Sequence, residues 1–206
     1  MTLTHFAIIA VCAYLLGSLS FAIIVSKVTL GKDIRNYGSG NAGLTNAYRT
    51  MGAKKTLFVL LGDIAKGAAA VSVGWALGGP VGKLTAGIFV ILGHMFPLYF
   101  GFKGGKGVLV GAGAALATEP LVCAVLLAIF LIEVAVTRIV SLGSIIIAAL
   151  YPVGTLINLI ARGANLPTIL FSTICCVIMA AMVIWLHRSN IERLKNGTEY
   201  RFGQKK

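Results

Sequence analysis

The thirteen residues "GSGNAGLTNAYRT", positions 38–50, carry a dense set of groups able to hold an anion. Gly38, Gly40 and Gly43 surround Ser39 and Asn41, and Thr45, Asn46 and Arg49 follow. Glycine reaches positive φ at no steric cost, and successive backbone N–H groups in such a turn converge into an anion-binding nest. A helix starting near Leu44 would aim its N-terminal dipole at the same spot. Arg49 would add a forked, permanently charged grip suited to phosphate. The competing reading is a glycine-rich connector that simply bends.

A second cluster, "GFKGGKG" at 101–107, puts Lys103, Gly104, Gly105 and Lys106 together. It is not a Walker A loop: Phe100 stands where the first glycine belongs, and Gly107 where a magnesium-binding Ser or Thr belongs. Two lysines separated by two glycines still supply two mobile charges on a backbone that a ligand can approach closely. Asp63 and Lys66, three residues apart, can pair on one helical face. His94, in "GHMFP", has no Cys or second His near enough in sequence to suggest zinc. Asp63 has no acidic neighbours. No metal and no other cofactor is therefore expected. "RIVSLGS" places Ser141 and Ser144 on one face of a helix start, and "HRSNIERLKNGTEY" brings His187, Asn190, Arg193 and Glu199 after the last apolar run.

These groups have to be positioned by very apolar surroundings. The 206 residues are 58% hydrophobic and 12% charged, and the mean hydropathy is +0.92, which describes a polytopic membrane protein. With about 17–25 apolar residues per crossing, helices are expected near 5–26, 56–77, 84–100, 108–118, 121–137, 141–160 and 168–186. The expected fold is thus an all-α bundle of about seven membrane helices forming a single domain over 1–206. The fourth segment is short for a crossing, and either lies tilted or merges with the next across Glu119-Pro120. Cys12, Cys123, Cys175 and Cys176 all fall in apolar runs and read as small buried hydrophobes.

Lysine and arginine placement predicts the orientation. With the N-terminus outside, the inner loops hold Lys27, Lys32, Arg35, Arg49, Lys54, Lys55, Lys103, Lys106 and Arg138, and the cytoplasmic C-terminal tail carries six more, Lys205 and Lys206 among them. Lys83 and Arg162 stay outside. The formal charge of +12 then gathers on one face, where anionic headgroups attract it. The bilayer and small anionic ligands, rather than nucleic acid, are the partners this pattern implies.

In order and spacing, "GSGNAGLTN" with Arg49, "DIAKG", "GHMFPLYFGFKGGKGV", "VSLGS" and "HRSNIERLKNG" resemble the PlsY family of bacterial integral-membrane acyl-phosphate:glycerol-3-phosphate acyltransferases. The resemblance runs through nearly the whole chain. It implies a seven-helix membrane fold in the bacterial cytoplasmic membrane with its active site on the cytoplasmic side. It also implies transfer of a fatty acyl group from acyl phosphate to the 1-hydroxyl of glycerol 3-phosphate, giving lysophosphatidic acid and phosphate. By the same matching, phosphate cradling falls to Ser39, Asn41, Gly43 and Asn46. Further substrate contacts fall to Arg49, Lys106, His187, Asn190 and either Ser141 or Ser144. The family often continues "KGGKGVAT", where Leu109 and Val110 stand here.

The residues themselves fit that chemistry. There is no Gly-x-Ser-x-Gly elbow, and an acyl phosphate already carries a good leaving group, so direct attack by the hydroxyl suffices. Positioning and charge stabilisation would then supply most of the rate, with His187 or a substrate phosphate oxygen as base. A transporter of a phosphorylated metabolite would also need a cationic, glycine-lined site, but would place it near the midplane. A lipid-binding scaffold explains the positive face and leaves the ordered motifs without cause.

Overall fold

The computed structural model describes residues 1–203; Lys205 and Lys206, expected to meet lipid headgroups, lie outside the described residues. Among the described residues the regular structure is entirely helical: α1 (Leu3–Gly17), α2 (Phe21–Leu30), α3 (Leu44–Met95), α4 (Val108–Thr118), α5 (Pro120–Thr137), α6 (Val140–Ala161), α7 (Leu166–Leu186) and α8 (Arg188–Lys195), with short 3₁₀ turns at Ile34–Asn36 and Leu98–Phe100. Apolar surroundings force backbone groups to pair internally, which a helix does within its own segment. Among the described residues five stretches, 3–30, 44–100, 120–137, 140–161 and 166–186, are long and apolar enough to cross a bilayer. The chain divides into two compact units, one ending at Thr118 and one beginning at Glu119.

In the first unit, α1 and α4 both pack on α3. The apolar run expected as one helix over 5–26 is interrupted: α1 ends at Gly17 and α2 starts at Phe21. The interruption leaves helix-end carbonyls in need of donors, and Lys66 Nζ donates to Gly17 O at 3.1 Å and to Leu19 O at 2.6 Å. Ser18 Oγ accepts from the Leu98 N–H at 3.2 Å, and Tyr14 Oη donates to Phe96 O at 2.8 Å, tying the interruption to the chain after α3.

The segments expected at 56–77 and 84–100 are the two limbs into which α3 divides at Gly79-Pro80, with residues 96–100 lying beyond its end at Met95. Gly79 (φ 57°, ψ −144°), followed by Pro80, breaks the α3 geometry, as does Gly52 (φ 74°, ψ 175°). A Cβ on Gly74 would meet the Gly82 carbonyl, so the limbs on either side of Gly79 fold back on one another. α4 has eleven residues, roughly 16 Å at 1.5 Å per residue, about half the hydrocarbon thickness. It does not merge with the next segment, because Glu119 is non-helical (φ −141°, ψ 71°) and α5 opens at Pro120. Gly113 lies against the Ile64 carbonyl where a side chain would not fit. There it serves close helix approach.

In the second unit, α5 packs on α6 and α6 on α7. Asn158 Nδ2 donates to Glu119 Oε2 at 2.7 Å, fastening the start of α5 to the far end of α6. Glu133 accepts from Thr137 Oγ1 at 2.6 Å on its own helix. Leu121, Leu131, Ile132 and Val136 remain exposed, an outer face suited to lipid.

Candidate active site

The loop between α2 and α3 is built on a small apolar cluster of Ala22, Ile23, Ile34, Ala42, Ala47 and Val59. Burying Ile34 and Ala42 pulls both ends of the glycine stretch down onto the helices and leaves Ser39 and Gly40 at the surface. Asn46, 2% exposed, organises what lies between. Its Nδ2 donates to Ile34 O (3.2 Å), Tyr37 O (3.0 Å) and Asn41 O (3.0 Å), and its Oδ1 accepts from the Ser39 N–H (2.9 Å). The amide is thus spent on the loop's own backbone. Within the phosphate-cradling set that the family resemblance implies, Asn46 is the residue that holds the turn in shape. Gly38 and Gly40 take positive φ, at 60° and 71°, and any Cβ on Gly38 would strike Asn46 Oδ1.

As the sequence implies, α3 begins at Leu44, with extended Gly43 preceding it and no side chain capping the first turn. Its leading N–H groups and their dipole therefore border the loop. Thr45 lies in that first turn and Arg49 one turn further on, both half-buried, as is Asn41.

The second glycine cluster lies against the first. Gly104 N–H donates to Met95 O at 3.1 Å and Gly105 N–H to His94 O at 3.2 Å, folding the segment back over the end of α3. A Cβ on Gly105 would collide with the His94 ring and would stand 2.7 Å from the Ala42 carbonyl, so this residue is the point where the two loops meet. Lys103 is exposed and Lys106 half-buried. A cavity of about 520 Å³ opens here, lined by Asp33, Arg35, Gly40, Phe100, Lys103 and Gly104 among others.

Beneath the loops is a buried polar group. Lys66 Nζ lies 2.8 Å from Asp63 Oδ1 and 3.0 Å from His94 Nδ1. All three side chains are nearly inaccessible, and charges so placed persist only when paired and hydrogen-bonded. Asp63, Lys66 and His94 thus link the α1–α2 interruption to the floor of the glycine loops.

The second unit carries the remaining candidates. Glu199 Oε1 accepts from Ser141 Oγ at 2.8 Å and from Asn190 Nδ2 at 2.7 Å, and its Oε2 accepts from Arg193 Nε at 2.6 Å. Burial pushes the Glu199 carboxyl up, but the bonds from Ser141, Asn190 and Arg193 outweigh it and hold the group below its ordinary range. Ser144 instead donates to Val140 O of its own helix at 2.8 Å, so of the two serines Ser141 joins the polar group. His187, 3% exposed, has Nδ1 at 2.8 Å from Val183 O. A carbonyl can only accept, so Nδ1 carries the proton and the lone pair of the neutral ring sits on Nε2.

Glu199, named in the sequence only as part of the tail motif, and Asp33 with Arg35, outside the sequence-derived site, organise these groups. Glu199 gathers Ser141 and Asn190 from 58 and 9 positions away, a separation with no local signature. Asp33 and Arg35 form the other group. Their spacing of two carried a signal, because Asp33 accepts from the Arg35 backbone N–H at 3.0 Å in a local turn. Hydrogen bonding from Arg35 holds the Asp33 carboxyl below its ordinary range.

An all-helical fold of long apolar segments, with polar side chains and glycine turns gathered at helix ends, defines an integral-membrane enzyme. Residues 7–197 match the protein family described as glycerol-3-phosphate acyltransferase. A glycerol-3-phosphate acyltransferase of Clostridioides difficile (strain 630) is 43% identical, with both chains covered in full. The crystal structure of PlsY, an integral membrane glycerol 3-phosphate acyltransferase, in its glycerol 3-phosphate form superposes with a TM-score of 0.84 at 35% identity, covering 96% of each chain. Its lysophosphatidic acid form gives 0.82 at 33% identity, covering 96% of this chain and 95% of the other. The chain belongs to the glycerol-3-phosphate acyltransferase family.

Proposed function

We propose that this acyltransferase uses acyl phosphate as donor and acylates the 1-hydroxyl of glycerol 3-phosphate at the cytoplasmic face of a bacterial membrane. The observation that carries the reading is the meeting of the two glycine loops at Gly105 and Ala42. It gives one cationic, amide-rich locus room for two phosphorylated reactants. The family match from 7 to 197 spans both compact units, which supports a single acyltransferase domain.

In this reading the backbone around Ser39, Gly40, Asn41 and Gly43, with Thr45 and Arg49, binds one phosphate, and Lys103, Gly104, Gly105 and Lys106 bind the other. Asn46 keeps the first loop in shape. By the family resemblance, Ser141, His187 and Asn190 are the further substrate contacts. The hydroxyl oxygen attacks the acyl carbon, and the bond from that carbon to the phosphate oxygen breaks. Phosphate leaves, and lysophosphatidic acid remains. The hydroxyl proton passes to an oxygen of the departing phosphate. His187 is the alternative base, and its Nδ1–H is directed to Val183 O. Fixed donors and cations aimed at the developing charge supply the rate.

The test is purified protein in lipid nanodiscs given glycerol 3-phosphate with long-chain acyl phosphate, acyl-CoA or acyl carrier protein in parallel. Lysophosphatidic acid and inorganic phosphate in equal amounts, from acyl phosphate alone, are expected. Equal rates from acyl-CoA would refute the donor assignment. Uptake into vesicles without product would favour transport.

A further inference from the structure

Arg35 lies outside the glycine stretch, yet four of its N–H groups reach both loops' supports. Nε and Nη2 fork onto the Asp33 carboxylate at 3.0 and 2.8 Å. Nη1 donates to Phe100 O at 2.6 Å and to Lys103 O at 3.1 Å. The first pair fixes the guanidinium at the entrance to residues 38–46, and the second grips the backbone leading into Gly104 and Gly105. That segment is held on its other side by the bonds from Gly104 and Gly105 to Met95 O and His94 O. The carbonyl of Lys103 is thus pinned between two supports, and Arg35 and Lys103 line the same 520 Å³ cavity.

A guanidinium is required for this. Its planar fork engages a carboxylate with two donors while a third nitrogen serves two carbonyls, which a lysine ammonium at one point cannot reproduce. With four of its five N–H donors committed to the protein, Arg35 is poorly placed to grip a phosphate in a fork itself. Its effect on a ligand passes through the loops it joins.

We infer that Arg35, oriented by Asp33, is a positioning residue that sets the spacing of the two glycine loops and thereby the affinity for glycerol 3-phosphate. The inference rests on the functional reading above. Without the clamp, residues 100–105 keep their bonds to the end of α3, so the fold persists while the gap between loops widens. Misplacement by about 1 Å is worth up to about a hundredfold in efficiency.

The experiment compares wild type with R35K, R35M, R35G and D33N in nanodiscs, titrating glycerol 3-phosphate at saturating acyl phosphate and the converse, with thermal unfolding of each. The expected result is a KM for glycerol 3-phosphate raised about tenfold or more in R35K and R35M, a smaller change in kcat, and an unchanged unfolding temperature. Millimolar guanidinium should lower the raised KM of R35G. An unchanged KM in R35K and R35M overturns the inference, as does an equal loss toward both substrates that tracks a lowered unfolding temperature. If the Arg35 variants do not fold, D33N decides: a raised KM for glycerol 3-phosphate supports the clamp and a wild-type value overturns it. Wild type that makes no lysophosphatidic acid would instead refute the functional reading, and with it this inference.

Discussion

The Lys66 ammonium stands 3.0 Å from Nδ1 of His94. An ammonium only donates, so this nitrogen accepts, and the imidazole proton sits on Nε2, the atom against which Gly105 packs. The three N–H groups of one buried ammonium are therefore shared among two carbonyls freed by a helix interruption, one carboxylate, and the ring that supports the junction of the glycine loops.

Replacing Lys66 by Met strands the Gly17 and Leu19 carbonyls and the Asp63 carboxylate. A loss of about 3–5 kcal/mol in unfolding free energy is expected. D63L/K66M should lose less than the single variant, since no uncompensated charge then remains. Thermal unfolding in detergent measures both, and equal losses would contradict the pairing.

Gly105→Ala introduces a Cβ where the His94 ring and the Ala42 carbonyl stand. The loops must separate, and kcat/KM is expected to fall about a hundredfold. Because the clash lies in an irregular loop, the unfolding temperature should move far less than activity does. Steady-state kinetics beside unfolding curves check this.

Asn46→Ala removes the donor serving Ile34 O, Tyr37 O and Asn41 O. The expected cost is about 1–3 kcal/mol for the stranded groups, with a weaker hold on glycerol 3-phosphate. Asn46→Asp should be worse, since it loses the same donors and adds negative charge beneath an anion cradle. A glycerol 3-phosphate titration distinguishes the two variants.

Asp33 and Glu199 both have carboxyls held below their ordinary range. A lowered folded-state pKa means that the unfolded chain binds protons first, so stability is complete above the unfolded value of about 4. It declines as pH falls through the folded-state values. Unfolding temperature should therefore be flat from neutral pH down to about 5 and drop below that. In E199Q the acid decline should be shallower and neutral stability lower. A parallel profile in the variant would remove Glu199 from the account.

His187→Gln keeps a hydrogen-bonding side chain but no titratable one. With the proton passing to a substrate oxygen, the variant should retain measurable turnover and the shape of the wild-type pH–rate profile. Loss of the acidic limb together with turnover would make His187 the base.

Local chemistry was legible in the chain. The α3 start at Leu44, the positive-φ glycines at 38 and 40, and the Asp63–Lys66 pair follow from neighbours within a few positions, because φ freedom, dipoles and one-turn spacing are short-range properties. Apolar run lengths likewise indicated membrane helices. The interruption at Ser18–Ser20 was hidden because its stabilising donor, Lys66, lies 47 and 49 residues away from the carbonyls it serves. An unbroken apolar run says nothing about a cation supplied from another helix.

Residue type and order by themselves determined the membrane class, the two glycine-rich loops and the family. Folding assigned the tasks within them: Asn46 to shaping a turn, Arg35 to joining two loops, Glu199 to gathering Ser141 and Asn190. The physical reason is that a hydrogen bond is spent on whichever partner comes within about 3 Å. For these three side chains most such partners are backbone atoms or residues brought close only when distant segments pack.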